Sequence, residues 1–205
     1  MKNMLSRYYE NFHRERDKQG TVLDSHRVAF IVNNVGTRNR VLDAGCRYGD
    51  LTRLFSEHND VMGIDIDKHA LEICGRAGNI QTSVQNLNCR LAFSDMAFDV
   101  VVMSEVLEHL PYPDITLSEI ARVLRPGGRL IGSVPNATRL KNRLRFLFSG
   151  DVEEDRTHLF HYSQDKLRLL IAKHFTQIRI ESVSGRLTAL SPGLFGNFLL
   201  FLAIK

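Results

Sequence analysis

The chain has 205 residues, 43% of them hydrophobic and 24% charged, a balance that excludes a disordered chain and suffices for one compact core. Its formal charge of +4 is concentrated between Arg139 and Arg145, so it marks no general nucleic-acid-binding surface. Cys46, Cys74 and Cys89, an odd number without a C-x-x-C pair, exclude a disulfide framework and a cysteine-type zinc cluster and point to a reducing, cytoplasmic compartment.

Residues 2–18 hold Leu5, Tyr8, Tyr9 and Phe12 at helical spacing among charges, which predicts a surface helix rather than a secretion signal. A second helix is expected over 25–34, stopped by Gly36. The apolar run 40–45 then reads as a strand ending in a tight loop, with a helix over 50–57 behind it. The alternation repeats: strand 61–65, a helix from its cap Asp67 to 76, strand 80–84, strand 98–104, helices at 105–110 and 114–124, a break at Pro126-Gly127-Gly128, and strand 129–134. Such strand–helix units imply a parallel sheet with helices on both faces. The chain closes with a helix over 163–174 and strands at 177–183 and 198–204; with no full helix between them, an antiparallel end is expected. The last apolar run, seven residues, is far short of the roughly 20 needed to span a bilayer as a helix.

In open α/β sheets, ligands bind beyond the carboxyl ends of the strands, which directs attention to the loop after Gly45. A dinucleotide fingerprint starting there would need glycines where Arg47 and Asp50 stand, and a carboxylate at that helix entrance opposes a diphosphate. The P-loop pattern is absent as well.

The segment Val41-Leu42-Asp43-Ala44-Gly45-Cys46-Arg47-Tyr48-Gly49-Asp50 resembles the first motif of the class I S-adenosylmethionine-dependent methyltransferases. In the same order, Gly63-Ile64-Asp65-Ile66-Asp67 is similar to their second motif, and 91–101 resembles their L-P-F-x-D-x-x-F-D-x-V stretch. Ser104-Glu105-Val106-Leu107-Glu108-His109-Leu110 and Leu124-Arg125-Pro126-Gly127-Gly128 complete the set found in the small-molecule branch. The resemblance implies one Rossmann-like domain over 1–205: a three-layer α/β sandwich on a mostly parallel seven-stranded sheet of order 3-2-1-4-5-7-6, the last strand antiparallel. Residues 1–36 would form a helical cap and 135–162 a variable acceptor-side insertion.

It further implies S-adenosyl-L-methionine as cofactor, S-adenosyl-L-homocysteine as product, and in-line methyl transfer to a small molecule. A binding protein that keeps the cofactor site without chemistry is the alternative. Asp43, Gly45, Cys46, Arg47 and Gly49 would face the methionine part; an ordinary strand-to-helix turn with a capping carboxylate is the plainer reading of the same loop. Asp65, about 20 residues on, would take both ribose hydroxyls, and Ile66 would lie on the adenine. Two positions depart from the family pattern: Arg47 replaces its middle glycine, and Asn86 stands where an acidic residue often meets the adenine amino group.

Ser104 and Glu105 would flank the transferred methyl, with His109 as base or as a buried structural histidine. His158, just before the late helix, would face the acceptor or bond the helix entry. His158 and His161 lack a third ligand in the pattern, so no metal is expected. The absence of an Asn-Pro-Pro-Tyr-like stretch argues against nucleic-acid acceptors. Finally, Leu140, Leu144, Leu147 and Phe148 share one helical face amid bases. That helix could lid an anionic or lipid-like acceptor, touch a membrane surface, or dock with its charges balanced by Asp151, Glu153, Glu154 and Asp155.

Overall fold

The computed structural model describes residues 23–76, 79–150, 155, 157–185 and 187–205; the helix expected over 2–18 lies outside them. Asp24 accepts the Arg27 N–H at 3.0 Å and starts α1 (Ser25–Val35), which Gly36 ends with a φ of +68°. Then follow β1 (Arg40–Ala44), α2 (Arg53–Ser56), β2 (Asp60–Asp65), α3 (Lys68–Gly75) and β3 (Ile80–Val84). Asp67 caps α3 as expected, accepting the Ala70 N–H at 3.1 Å. The second half comprises β4 (Phe98–Ser104), α4 (Pro113–Val123), β5 (Leu124–Pro135), α5 (Leu140–Ser149), α6 (Gln164–Ile171), β6 (Thr176–Val183), the short α7 (Pro192–Phe195) and β7 (Phe198–Ile204).

All seven strands join one sheet of order β3-β2-β1-β4-β5-β7-β6, parallel except that β7 runs antiparallel to both neighbours. Alternation along the strands divides the core into the two expected layers. Val41, Val61, Val100, Val102 and Ile131 pack with Ile31 and Val35 of α1, Phe55 of α2 and Leu71 and Cys74 of α3. Leu42, Ile64, Val101, Met103, Leu130 and Phe201 pack with Leu117 and Ile120 of α4 and Leu167 and Ile171 of α6 on the other face.

Three elements differ from their sequence expectation, each for a local reason. Residues 105–110 shrink to a single 3-10 turn, Leu107–His109, because Glu105 adopts a left-handed φ of 57° that no helix continues. The helix expected over 50–57 starts only at Arg53: Thr52 donates its hydroxyl to Asp43 (2.6 Å) and Asp50 accepts from the Arg53 guanidinium (3.0 Å), so neither caps a backbone N–H. Pro126-Gly127-Gly128 does not break the chain, since the Gly127 N–H donates to the Lys205 carbonyl and the Gly128 carbonyl accepts from the Lys205 N–H. The strand therefore runs from Leu124, with a register shift at the glycines.

β1 is flanked by β2 on one side and β4 on the other. The connection from β1 leads outward to β2, whereas that from β3 returns to β4, so a crevice opens beyond the carboxyl ends of β1 and β4.

Candidate active site

The loop after β1 folds down onto the end of β2. Gly45 and Cys46 both donate N–H groups to the Ile64 carbonyl (2.8 and 3.1 Å), and the Arg47 N–H reaches a carboxylate oxygen of Asp65 at 3.1 Å. The other Asp65 oxygen accepts the Asp67 N–H at 2.9 Å. Asp65 is thus oriented by two backbone donors from either side of the crevice, and an ionised carboxylate oxygen has capacity to accept more than one hydrogen bond.

The glycines of this loop are required by the protein's own packing. Gly45 has φ +87°, and a Cβ there would lie 2.5 Å from a methyl of Val106; at Gly49, φ +78°, it would lie 2.5 Å from the Cys74 sulfur. Arg47 takes φ 49° without being glycine, and its guanidinium lies over the Tyr48 ring at 4.9 Å. The Cys46 side chain points inward, its sulfur 2.8 Å from where a Gly63 Cβ would stand. Hydrogen-bonded to the Cys74 thiol and buried, the Cys46 thiol is pushed above its ordinary range. Only the backbone of Cys46 is left to line the crevice.

Asp43 lies behind the loop, 3% exposed. Burial and, more weakly, the charge of Asp65 raise its carboxyl to about 7, against the Thr52 hydroxyl bond that favours ionisation. The native chain therefore binds this proton more tightly than the unfolded chain, and the stability it contributes is present below about pH 4 and lost as pH rises through about 7. Asp43→Asn is expected to raise the melting temperature at pH 8 by several degrees more than at pH 5; an equal shift at both would show that Asp43 ionises without penalty.

Of the remaining residues read from sequence, Ile66 is half-buried next to Asp65. The Asn86 side-chain carbonyl accepts from the Asn88 backbone and amide (3.0 and 3.1 Å), so that acceptor is already held in a local turn. At the end of β4, Ser104 Oγ meets Ser133 Oγ at 2.9 Å, Ser133 donates to Glu105 at 2.7 Å, and Arg27 lies 3.6 Å from the other Glu105 oxygen. Arg27, 8% exposed, also stacks over Phe198 at 4.8 Å. Sequence reading missed Arg27 and Ser133. The signal for Arg27 was its place on the stripe 27, 31, 35 that α1 buries; Ser133, inside an apolar strand, gave none.

His109 and His158 come together, with ring centroids 4.8 Å apart. His109 Nδ1 lies 3.2 Å from the Thr157 carbonyl and 3.1 Å from its hydroxyl oxygen. A carbonyl only accepts, and the Thr157 hydroxyl donates its proton to Asp155 at 2.6 Å, so Nδ1 carries the hydrogen and Nε2 of the neutral ring carries the lone pair. His158 Nε2 faces Asp155 at 3.7 Å, and exposed His161 is not part of the cluster.

The third ligand that spacing failed to suggest is Glu108: one ligand atom each of Glu108, His109 and His158 falls within 4.8 Å of the others. A tetrahedral ion with bonds of roughly 2.0–2.1 Å needs ligand separations of roughly 3.3 Å, so this trio would have to contract to hold a metal. A recess of about 240 Å³ between Arg40, Asp60, Gln81 and Phe98 lies at the opposite, amino edge of the sheet, away from all these groups.

A seven-stranded sheet of this order, with β7 antiparallel and helices on both faces, is the class I S-adenosylmethionine-dependent methyltransferase fold. The profile of the methyltransferase domain family matches residues 12–174, and the chain belongs to that family. It is 33% identical over 154 residues to a ubiquinone biosynthesis O-methyltransferase of Nitrosococcus oceani, covering 66% of this chain and 63% of that one. It is 35% identical over 116 residues to a ubiquinone/menaquinone biosynthesis C-methyltransferase of Pseudomonas savastanoi, covering 51% and 45%. The chain thus spans less than two thirds of the length of these curated relatives. Among solved structures, a SAM-dependent methyltransferase from Archaeoglobus fulgidus aligns with TM-score 0.71 at 22% identity, over 95% of this chain and 99% of that one. A possible histamine N-methyltransferase from Thermotoga maritima aligns with TM-score 0.70 at 16% identity, over 99% and 98%. At such identities the likeness carries the fold alone.

Proposed function

We propose that the chain transfers a methyl group from S-adenosyl-L-methionine to a small acceptor bearing a hydroxyl nucleophile. The observation that carries this reading is the carboxylate pair Asp43 and Asp65 under the Gly45–Gly49 loop: the Asp65 charge already opposes ionisation of Asp43, so the pair suits a cationic ligand and repels a diphosphate. When bound, the cofactor supplies an electrophilic methyl on a sulfonium. The chain's residues then position and exclude water: Asp65 holds the ribose, Asp43 balances the positive charge, and the backbone of Gly45, Cys46 and Arg47 lines the crevice. Ser104 and Glu105, fixed by Ser133 and Arg27, wall the acceptor side. His109 takes the acceptor's proton at Nε2, the nitrogen that its bonds to Thr157 leave as acceptor.

The acceptor is anionic or lipid-like, a reading in keeping with the quinone-pathway names of the relatives. Cys46, Cys74 and Cys89 are free thiols, which suits the reducing cytoplasm. Calorimetric titration with S-adenosylmethionine, followed by assay of S-adenosylhomocysteine release with catechol and hydroquinone probes, tests the proposal. Binding and turnover are expected. Binding without release for any hydroxyl acceptor would leave a cofactor-binding protein, and no binding would remove the reading altogether.

A further inference from the structure

The helix α5 is mounted the wrong way round for a water-facing helix. Ordinarily an amphipathic helix buries its apolar stripe and presents polar residues to solvent. Here the buried position is Asn142, 2% exposed, whose amide donates to the Asn136 carbonyl at 3.3 Å and whose side-chain oxygen accepts from Arg139 at 3.1 Å. Arg139 extends the polar anchor to the Asn197 side chain at 2.8 Å, and Arg143 adds a bond to the Thr138 carbonyl at 2.6 Å. On the side away from Asn142 stand Leu140, Leu144, Leu147 and Phe148, of which Leu147 is 74% and Phe148 83% exposed. Exposed Lys141 and Arg143 border this strip on its two sides. Polar bonds hold the helix in place, and its apolar face is turned to solvent.

We propose that α5 docks on an anionic lipid surface, with Leu144, Leu147 and Phe148 entering the acyl boundary and Lys141 and Arg143 lying at the level of the phosphate groups. Charge complementarity selects this occupant. A strip of large apolar side chains edged on both sides by cations is the pattern of a helix lying in a membrane interface, whereas the core of a protein–protein interface is depleted of lysine. No helix among the described residues is long and apolar enough to cross a membrane, so the attachment is peripheral. The sequence after α5 carries Asp151, Glu153 and Glu154, which oppose an anionic surface, and the apolar insertion therefore supplies the larger share. α5 follows the carboxyl end of β5, the edge where Ser133 meets Glu105. A membrane-bound α5 would bring that edge to the bilayer, but the docking itself requires neither the cofactor nor the acceptor reading.

Vesicle flotation of the whole chain tests this, using phosphatidylcholine vesicles with and without one quarter phosphatidylglycerol. The wild type is expected to float with the anionic vesicles and several-fold less with the neutral ones. The double variant Leu147→Ser/Phe148→Ser should lose at least about tenfold in partitioning, and Lys141→Gln about fivefold, the effect of one charge. Cofactor affinity by calorimetry should be unchanged in both, which separates failure of docking from failure of the methyltransferase reading and also reports folding. Absence of wild-type flotation, or flotation undiminished in the Leu147/Phe148 variant, overturns the proposal. Concentration-dependent dimerisation by analytical ultracentrifugation, abolished by that variant in place of flotation, would assign the strip to a second copy of the chain.

Discussion

Asp65→Ala is expected to weaken S-adenosylmethionine binding by about 10²- to 10⁴-fold. Two hydroxyl bonds to a carboxylate contribute roughly 1.5–3 kcal/mol each, and every 1.4 kcal/mol or so is about a factor of ten in affinity. The loss has a second source. The Asp65 oxygens also hold the N–H groups of Arg47 and Asp67, and Arg47 sits at a φ of 49°, a conformation that costs a non-glycine residue energy and persists only while its surroundings impose it. Removing the carboxylate frees the loop to leave this shape. One effect acts in the opposite sense: without the Asp65 charge, Asp43 ionises more readily and attracts a cationic ligand better. Asp65→Asn separates the contributions, because the amide keeps one acceptor for the loop while losing the charge, and a smaller loss is expected. Calorimetry on the three proteins, with thermal melting to confirm folding, measures this; affinity within about threefold of wild type for Asp65→Ala would remove the ribose role.

The strands and helices were legible because they follow from local periodicity, whereas the strand order was implied by the family resemblance, and the sheet repeats it. Apolar runs such as 98–104 and 198–204 coincide with β4 and β7, and Asp67 caps α3 where its position before an apolar helix pattern said it would. What periodicity cannot supply is the direction in which a face turns once tertiary hydrogen bonds compete with burial. Leu140, Leu144, Leu147 and Phe148 do share one face, but the bonds of Asn142, Arg139 and Arg143 turn that face outward, and no spacing rule encodes them. The same limit applies at the site. Three-residue spacing paired His158 with His161, whereas the fold pairs His158 with His109, 49 positions earlier, beside the Thr157 carbonyl and hydroxyl that bond His109. Glycine requirements were visible in the loop, yet their cause, Val106 and Cys74 packed against Gly45 and Gly49, belongs to contacts distant in sequence.

Replacing His109 by alanine is expected to lower kcat with a phenolic acceptor by about 100-fold or more at pH 7, since a positioned base contributes roughly 10²–10⁴-fold. The ring has a structural task too: through Nδ1 it ties the 3-10 turn at Leu107–His109 to Thr157. The pH profile distinguishes the two. A phenol with a pKa of about 10 ionises by itself in alkaline solution, so a missing base costs progressively less and the gap between variant and wild type should narrow as pH approaches 10. If the histidine served only to hold Thr157, its loss would raise the acceptor KM and leave a gap that does not depend on pH. His109→Gln is the companion variant, able to donate to Thr157 without offering a basic nitrogen. It should restore the acceptor KM toward wild type while kcat stays low at pH 7. Recovery of kcat in His109→Gln would make His109 a positioning residue and shift the search for the proton acceptor to Glu105, which lies at the end of β4 beside Ser104 with its carboxylate held by Ser133 and Arg27.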